Sequence, residues 1–250
     1  MKRSALVLTL IAGFAVFLVV LALYLPASWF ASALPAGVRC GELGGSVWHG
    51  ECLGLEFQGN RLGDATWNFA AGRAFTGRLS GDLDVRGGAV SARADLDTNF
   101  AGVGELRNVS ANLPLDPAIL AQLPAAQRGN VSVDLKRLVL GAGPAPRLAE
   151  GSIELRDLRQ VGARPLALGS YRLVFDGAAQ PNGVVLGKLR DVGGPFAVDA
   201  TVTLTPPNAY LVQGYITGRG ADAERLVRDI TLGAAPDASG RSALSFEGTY

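Results

Sequence analysis

The chain has 250 residues, enough to bury a sizeable core in one large β domain or two small ones. Its 23 Lys and Arg nearly cancel 22 Asp and Glu, the formal net charge is +1, and no run of like charges occurs, which removes the electrostatic case for a nucleic-acid partner. The 33 glycines are spread along the chain rather than gathered in a linker. At well above the usual share of about 7% they suit turns and bulges between strands and disfavour a helical bundle.

Lys2 and Arg3 precede 21 uncharged residues, Ala5 to Leu25. At 1.5 Å per residue these predict a helix of about 31 Å, enough to cross a hydrocarbon core of about 30 Å. Pro26 ends the run, and Tyr24 and Trp29 fall where an interfacial aromatic belt belongs. With both cations on the N-terminal side and none again before Arg39, the positive-inside rule puts the N-terminus in the cytoplasm and the rest outside. A cleaved signal peptide ending at Ala31-Ser32-Ala33 is the alternative; the apolar run exceeds the about 7–15 residues of a signal core and favours an uncleaved anchor. Residues 26–38 form a juxtamembrane segment in which 27–34 predict a short amphipathic turn with Trp29, Phe30 and Leu34 on the membrane surface.

From residue 39 onward a period of two dominates. Phe75, Leu79, Leu83 and Val85 share one face of a strand, as do Val131, Val133 and Leu135; Ile153 and Leu155; Tyr171, Leu173 and Phe175; and Val198, Ala200, Val202 and Leu204. Polar residues alternate with them, the pattern of antiparallel strands buried on one face. Gly87-Gly88, Pro181-Asn182-Gly183 and Pro206-Pro207-Asn208 supply turn chemistry. Two segments predict short helices instead: 116–123, with an Asp cap and Pro117 at its first position, and 222–231, with Leu226, Val227 and Ile230 in one stripe. Their similar settings hint at two related β units, about 39–130 and 131–250.

The inventory for chemistry is thin. A single histidine, His49, excludes a multi-histidine metal site, and no Gly-x-Ser-x-Gly elbow is present. Gly218-Arg219-Gly220-Ala221-Asp222-Ala223 matches G-x-G-x-x-A, yet it lacks the parallel βαβ context of a dinucleotide site and reads as a strand-to-helix turn. Asp82 and Asp84 alternate on a polar strand face and read as solvated. No catalytic, cofactor or metal residues are assigned, and the chain is not expected to be an enzyme. Cys40 and Cys52, in an exported and oxidising compartment, predict a disulfide worth about 3 kcal/mol in the chain-entropy account, with two buried thiols as the alternative.

The order of features resembles a known family. The anchor leads into Leu43-Gly44-Gly45-Ser46-Val47-Trp48-His49-Gly50, Trp67 follows, then Gly77-Arg78-Leu79-Ser80-Gly81, Leu168-Gly169-Ser170-Tyr171, Gly193-Gly194-Pro195-Phe196 and a C-terminal run from Leu226 to Gly233. Together these resemble type II secretion system protein N (the GspN family), with Gly45, Val47, Trp48, Gly50 and Trp67 carrying the main motif. The resemblance implies a mainly β protein: a single N-terminal transmembrane helix (1–25), a juxtamembrane segment (26–38) and a curved, largely antiparallel periplasmic β-sheet domain (39–250) with two short helices. It implies an accessory inner-membrane component of the secretion system that supports export of folded proteins and contacts other secretion components. The family's distant similarity to AsmA-like proteins supplies the alternative, a lipid-binding or lipid-transfer module whose apolar face is lined by Leu79, Leu83, Val133, Leu135, Leu173 and Val202. The Cys40 and Cys52 pair is not a hallmark of the family.

Overall fold

The computed structural model describes residues 2–34, 37–99, 102–116, 127–141, 145–162, 165–231 and 235–249, with backbone alone at 2–9, 12, 15, 18, 30, 32 and 33. Helix α1 (Lys2–Leu23) is followed by a 3₁₀ turn, Ala27–Ala33. Then come β1 (Val38–Gly45), β2 (His49–Phe57), β3 (Asn60–Phe69), the single turn α2 (Ala71–Ala74), β4 (Arg78–Arg86), β5 (Ser91–Asn99), β6 (Gly104–Leu115) and β7 (Gln127–Leu140). The chain continues through β8 (Pro146–Gln160), β9 (Leu166–Asp176), β10 (Val185–Gly193), β11 (Phe196–Thr205), β12 (Ala209–Gly218), α3 (Ala221–Ile230) and β13 (Ser242–Thr249). All 13 strands form one sheet in strict sequence order, each antiparallel to its neighbours. Such a meander needs only short connections. The sheet curls enough for β8 to touch β10 across β9.

Three apolar clusters follow one another along the sheet. Cys52, Ala65 and Val85 make the first, with Trp67, Leu43 and Leu55 against them. Leu135, Ala149, Phe175 and Val185 make the second, supported by Val133, Ile153, Leu173 and Leu204. In the third, Phe196, Val198, Ala200, Ile216 and Leu244 are roofed by Ala223 and Val227 of α3. The predicted alternation is therefore the true one at β7, β9 and β11. Helix α3 falls within one residue of the predicted helix 222–231, with Val227 buried and Leu226 packed on the cluster but Ile230 exposed and Ala223 buried in its stead. Asp222 and Glu224 occupy the first turn of α3, where negative charge favours the helix dipole.

Other expectations need correction. Phe75 is not on β4: it extends α2 in helical conformation and is 64% exposed, and the turn at Gly77 separates it from the strand. Leu83 is on β4 but 41% exposed, so it takes no part in the core. The division expected near 130/131 lies inside β7, which pairs with β6 and β8 along its length. Residues 117–126 of the first predicted helix lie outside the described residues. As for the anchor, α1 ends at Leu23 rather than Leu25, and its backbone covers 22 residues, about 33 Å at the usual rise. Among the described residues no helix is long and apolar enough to cross a membrane.

The polar face is laced by arginines. Asp84 is held by Arg86 and Arg93, Glu105 by Arg107 and Arg137, and Glu154 by Arg156 and Arg172. Asp84 is thus clamped rather than simply solvated: burial raises its pKa, but hydrogen bonds from Arg93 and Arg86 outweigh that and leave it lowered. The same guanidinium contacts lower Glu105, led by Arg107, and Glu154, led by Arg156.

Candidate functional site at the helix–sheet junction

The motif residues converge where α1 meets the sheet. Residues 46–48 link β1 to β2. The turn closes when the Ser46 N–H donates to the His49 carbonyl at 2.8 Å. Gly45 lies at φ +76°, the left-handed region open to glycine, and a side chain there would strike the His49 carbonyl. The turn then docks on the end of the helix. Val47 N–H donates to the Leu25 carbonyl at 3.0 Å, and Ser46 pairs with Pro26 as an isolated antiparallel bridge. Leu25, expected as the last residue of a span, is a backbone acceptor for the β domain.

Both tryptophans act through their indole N–H. Trp48 Nε1 donates to the Ala22 carbonyl at 2.7 Å, across 26 residues of sequence. That carbonyl lies in the last turn of α1, where intrahelical donors have run out. Trp67, on β3, donates to the Val47 carbonyl at 3.0 Å and lies 3.3 Å from that of Ser46, so it braces the turn from behind. Gly50 makes this possible: a Cβ at that position would run into the Trp67 ring and the Ser46 carbonyl. Each motif position therefore has a geometric reason: glycine for clearance, tryptophan to donate and Val47 to bridge.

The disulfide lies beside this turn. Cys40 and Cys52 join β1 to β2 with their Cα atoms 5.7 Å apart, within the usual span of such bonds. Cys52 belongs to the first cluster, so the bridge ties the start of the sheet into its small core. Below the turn, Ala27 is buried while Trp29 is 65% and Tyr24 77% exposed. The 3₁₀ turn Ala27–Ala33 lies where the short turn over 27–34 is predicted, and it packs on β1. The sequence motif was visible from residue order, but the Ala22, Leu25 and Ser46 carbonyls that receive its donors were not, since backbone acceptors carry no residue signature.

The other candidate sites disperse. His49 is exposed at the start of β2, on the wall of a shallow open depression that also takes in Asn68, Arg73, Asp82 and Asp97. Gly218 to Ala223 joins β12 to α3, which folds back onto its own strand, and β13 then pairs antiparallel with β12. That is a turn rather than a dinucleotide cradle. Of the six residues expected to line an apolar groove, Leu135 and Val202 are buried, Val133 and Leu173 pack beside Leu135, Leu79 is half-buried and Leu83 lies exposed.

A family model described as type II secretion system (T2SS), protein N, matches residues 36–245, from just before β1 into β13. The chain belongs to the type II secretion system protein N family. The match begins with the strands of the junction and takes in the Trp48 turn, Trp67 and the α3 roof. A curated relative, "Type II secretion system protein N" of Vibrio cholerae serotype O1, is 26% identical over 234 residues, covering 86% of each chain. No solved structure matches.

Proposed function

We propose that this protein N family member is an accessory inner-membrane component of the bacterial type II secretion system, supporting export of folded proteins across the outer membrane. In this reading α1 crosses the inner membrane once, the N-terminus is cytoplasmic, and the β domain stands in the periplasm. Family membership across residues 36–245 is the observation that carries it. The junction adds physical support: an indole hydrogen bond from the sheet to the last turn of α1 makes helix and sheet one unit, as a tethered structural part requires. The 22-residue helix with Lys2 and Arg3 at its start fits the proposed orientation. The reading assigns no catalytic step to the chain; its partners are the membrane and other secretion components.

Deletion of the gene, with complementation, tests the reading. Loss of an exported enzyme from the medium, restored by the wild-type chain, is expected, together with co-purification of secretion components from detergent extracts. Normal secretion and no co-purifying component would sink it. Protease added to spheroplasts checks the topology: the β domain is expected to be digested while the start of α1 stays protected.

A further inference from the structure

The two edges of the sheet are treated differently. β1 carries Arg39 and Glu42, the 3₁₀ turn packs against it, and the disulfide and the Pro26–Ser46 bridge fasten it. Charges and covering segments are the means by which native sheets keep an edge from pairing. β13, Ser-Ala-Leu-Ser-Phe-Glu-Gly-Thr, has no proline, no lysine or arginine and one charge, Glu247. It pairs with β12 from Ser242 to Thr249 without a bulge, and among the described residues no strand pairs with its other side. Eight residues offer about 27 Å of straight edge.

The chemistry of that edge selects its occupant. A row of alternating N–H and C=O groups is matched in full only by another extended backbone. The side chains add detail. On the core face Leu244 is 9% exposed under the α3 cluster, whereas Phe246, two residues on, is 48% exposed, so the apolar layer runs to the edge and ends uncovered. On the opposite face a shallow depression runs from Asp199 and Thr201 past Tyr215 to Ala243 and Ser245, with the Arg241 guanidinium stacked 4.4 Å from the Tyr215 ring centre. A strand laid along β13 would place apolar side chains beside Phe246 and polar ones at the depression. One edge strand covers far less than the roughly 1,200 Å² of a stable association between folded proteins. It suits an extended segment tethered elsewhere better than a second whole copy.

We propose that β13 is a strand-addition site that takes an amphipathic extended segment of another protein, with apolar and polar residues alternating. The inference needs only the sheet and its edge, and stands or falls separately from the secretion reading.

The test uses the full chain in its native membranes, with a photocrosslinking amino acid at Ser245. Successive β13 amides point alternately to β12 and outward, so Ala243→Pro and Glu247→Pro sample one phase and Phe246→Pro the other. The expected result is an adduct to a different protein that falls at least tenfold with prolines of the outward phase, while the melting temperature of those variants holds. Phe246→Ser, which leaves every amide in place, is expected to weaken the adduct severalfold with folding unchanged, and it decides the matter if prolines of both phases unfold the edge. No adduct, an adduct only to a second copy, or one indifferent to both the proline phase and Phe246→Ser overturns the proposal.

Discussion

The first four strands and the last four are stabilised by different means. At the N-terminal end the buried apolar side chains are small, Cys52, Ala65 and Val85, and the glycine-rich strands offer little more. Order there comes from a covalent bridge and from hydrogen bonds aimed by two indoles. At the C-terminal end Phe196, Val198, Ile216 and Leu244 are sealed beneath α3, and burial of apolar area carries the stability. One end is positioned by directed bonds and the other by non-directional packing. Directed bonds suit a junction whose angle to α1 matters; packing suits a region that must simply persist.

Substitutions should separate the two. The largest effect is expected from Phe196→Ala, where a side chain 3% exposed leaves a cavity under α3. A loss of about 3–5 kcal/mol, read by chemical denaturation, is expected, and the distance between probes on α1 and β1 should not change. Next is the pair Cys40→Ser and Cys52→Ser: the closed loop spans a sequence separation of 12. A loss of about 3 kcal/mol is expected, and it should vanish when wild type and variant are compared under reductant. If reductant leaves the gap open, the cost lies in packing around Cys52 and not in the cross-link.

Gly50→Ala tests the clearance for Trp67 and is expected to cost about 1–3 kcal/mol through overpacking, with a changed tryptophan emission spectrum. Unaltered emission and stability would mean that the turn yields easily and that Trp67 does not brace it. Trp48→Phe keeps an aromatic ring but removes the donor to Ala22. About 1 kcal/mol is expected, and the more telling readout is faster proteolysis between residues 24 and 38, with the C-terminal core unaffected.

The smallest effects are expected from pH. Asp84, Glu105 and Glu154 have folded pKa values below their ordinary ones. Their contribution is present above the unfolded carboxylate range of about 4 and is lost as pH falls through the folded values. At the other extreme Tyr171, against the C-terminal cluster, has its pKa pushed up to about 12, by burial first and then by Asp191. Its contribution is full below the unfolded value of about 10 and fades as pH rises from there through about 12. Melting curves across both ranges should therefore show a modest acid loss that Glu154→Gln reduces and an alkaline loss that Tyr171→Phe reduces.

How much of this was legible depends on the local rule in force. Where a strand keeps its period, as from Tyr171 to Phe175 or Val198 to Val202, alternation named the buried face directly. At β8 it holds as far as Ile153, which packs on the second cluster. Beyond Leu155 no alternation could be read, because Asp157 adopts a φ of +52° and the register shifts between Leu155 and Leu158. β1 and β2 were obscure because glycine carries no side chain to alternate. The exposed Phe75 misled because an apolar residue in phase with a strand looks the same whether the strand has begun or not.

By itself the sequence determined that an apolar helix precedes a glycine-rich antiparallel sheet, that one amphipathic helix lies near the end, and that the order of its glycine and tryptophan motifs resembles the protein N family. These are properties of neighbouring residues, set by side-chain period, charge balance and turn chemistry. The tertiary structure decided that 13 strands run in one sheet, that Trp48 reaches the last turn of α1, and that among the described residues no strand pairs with the outer side of β13. Those depend on backbone groups far apart in the chain, and every residue but proline carries the same N–H and C=O. Which ones meet is settled only when the sheet twists and the helix end arrives beside it.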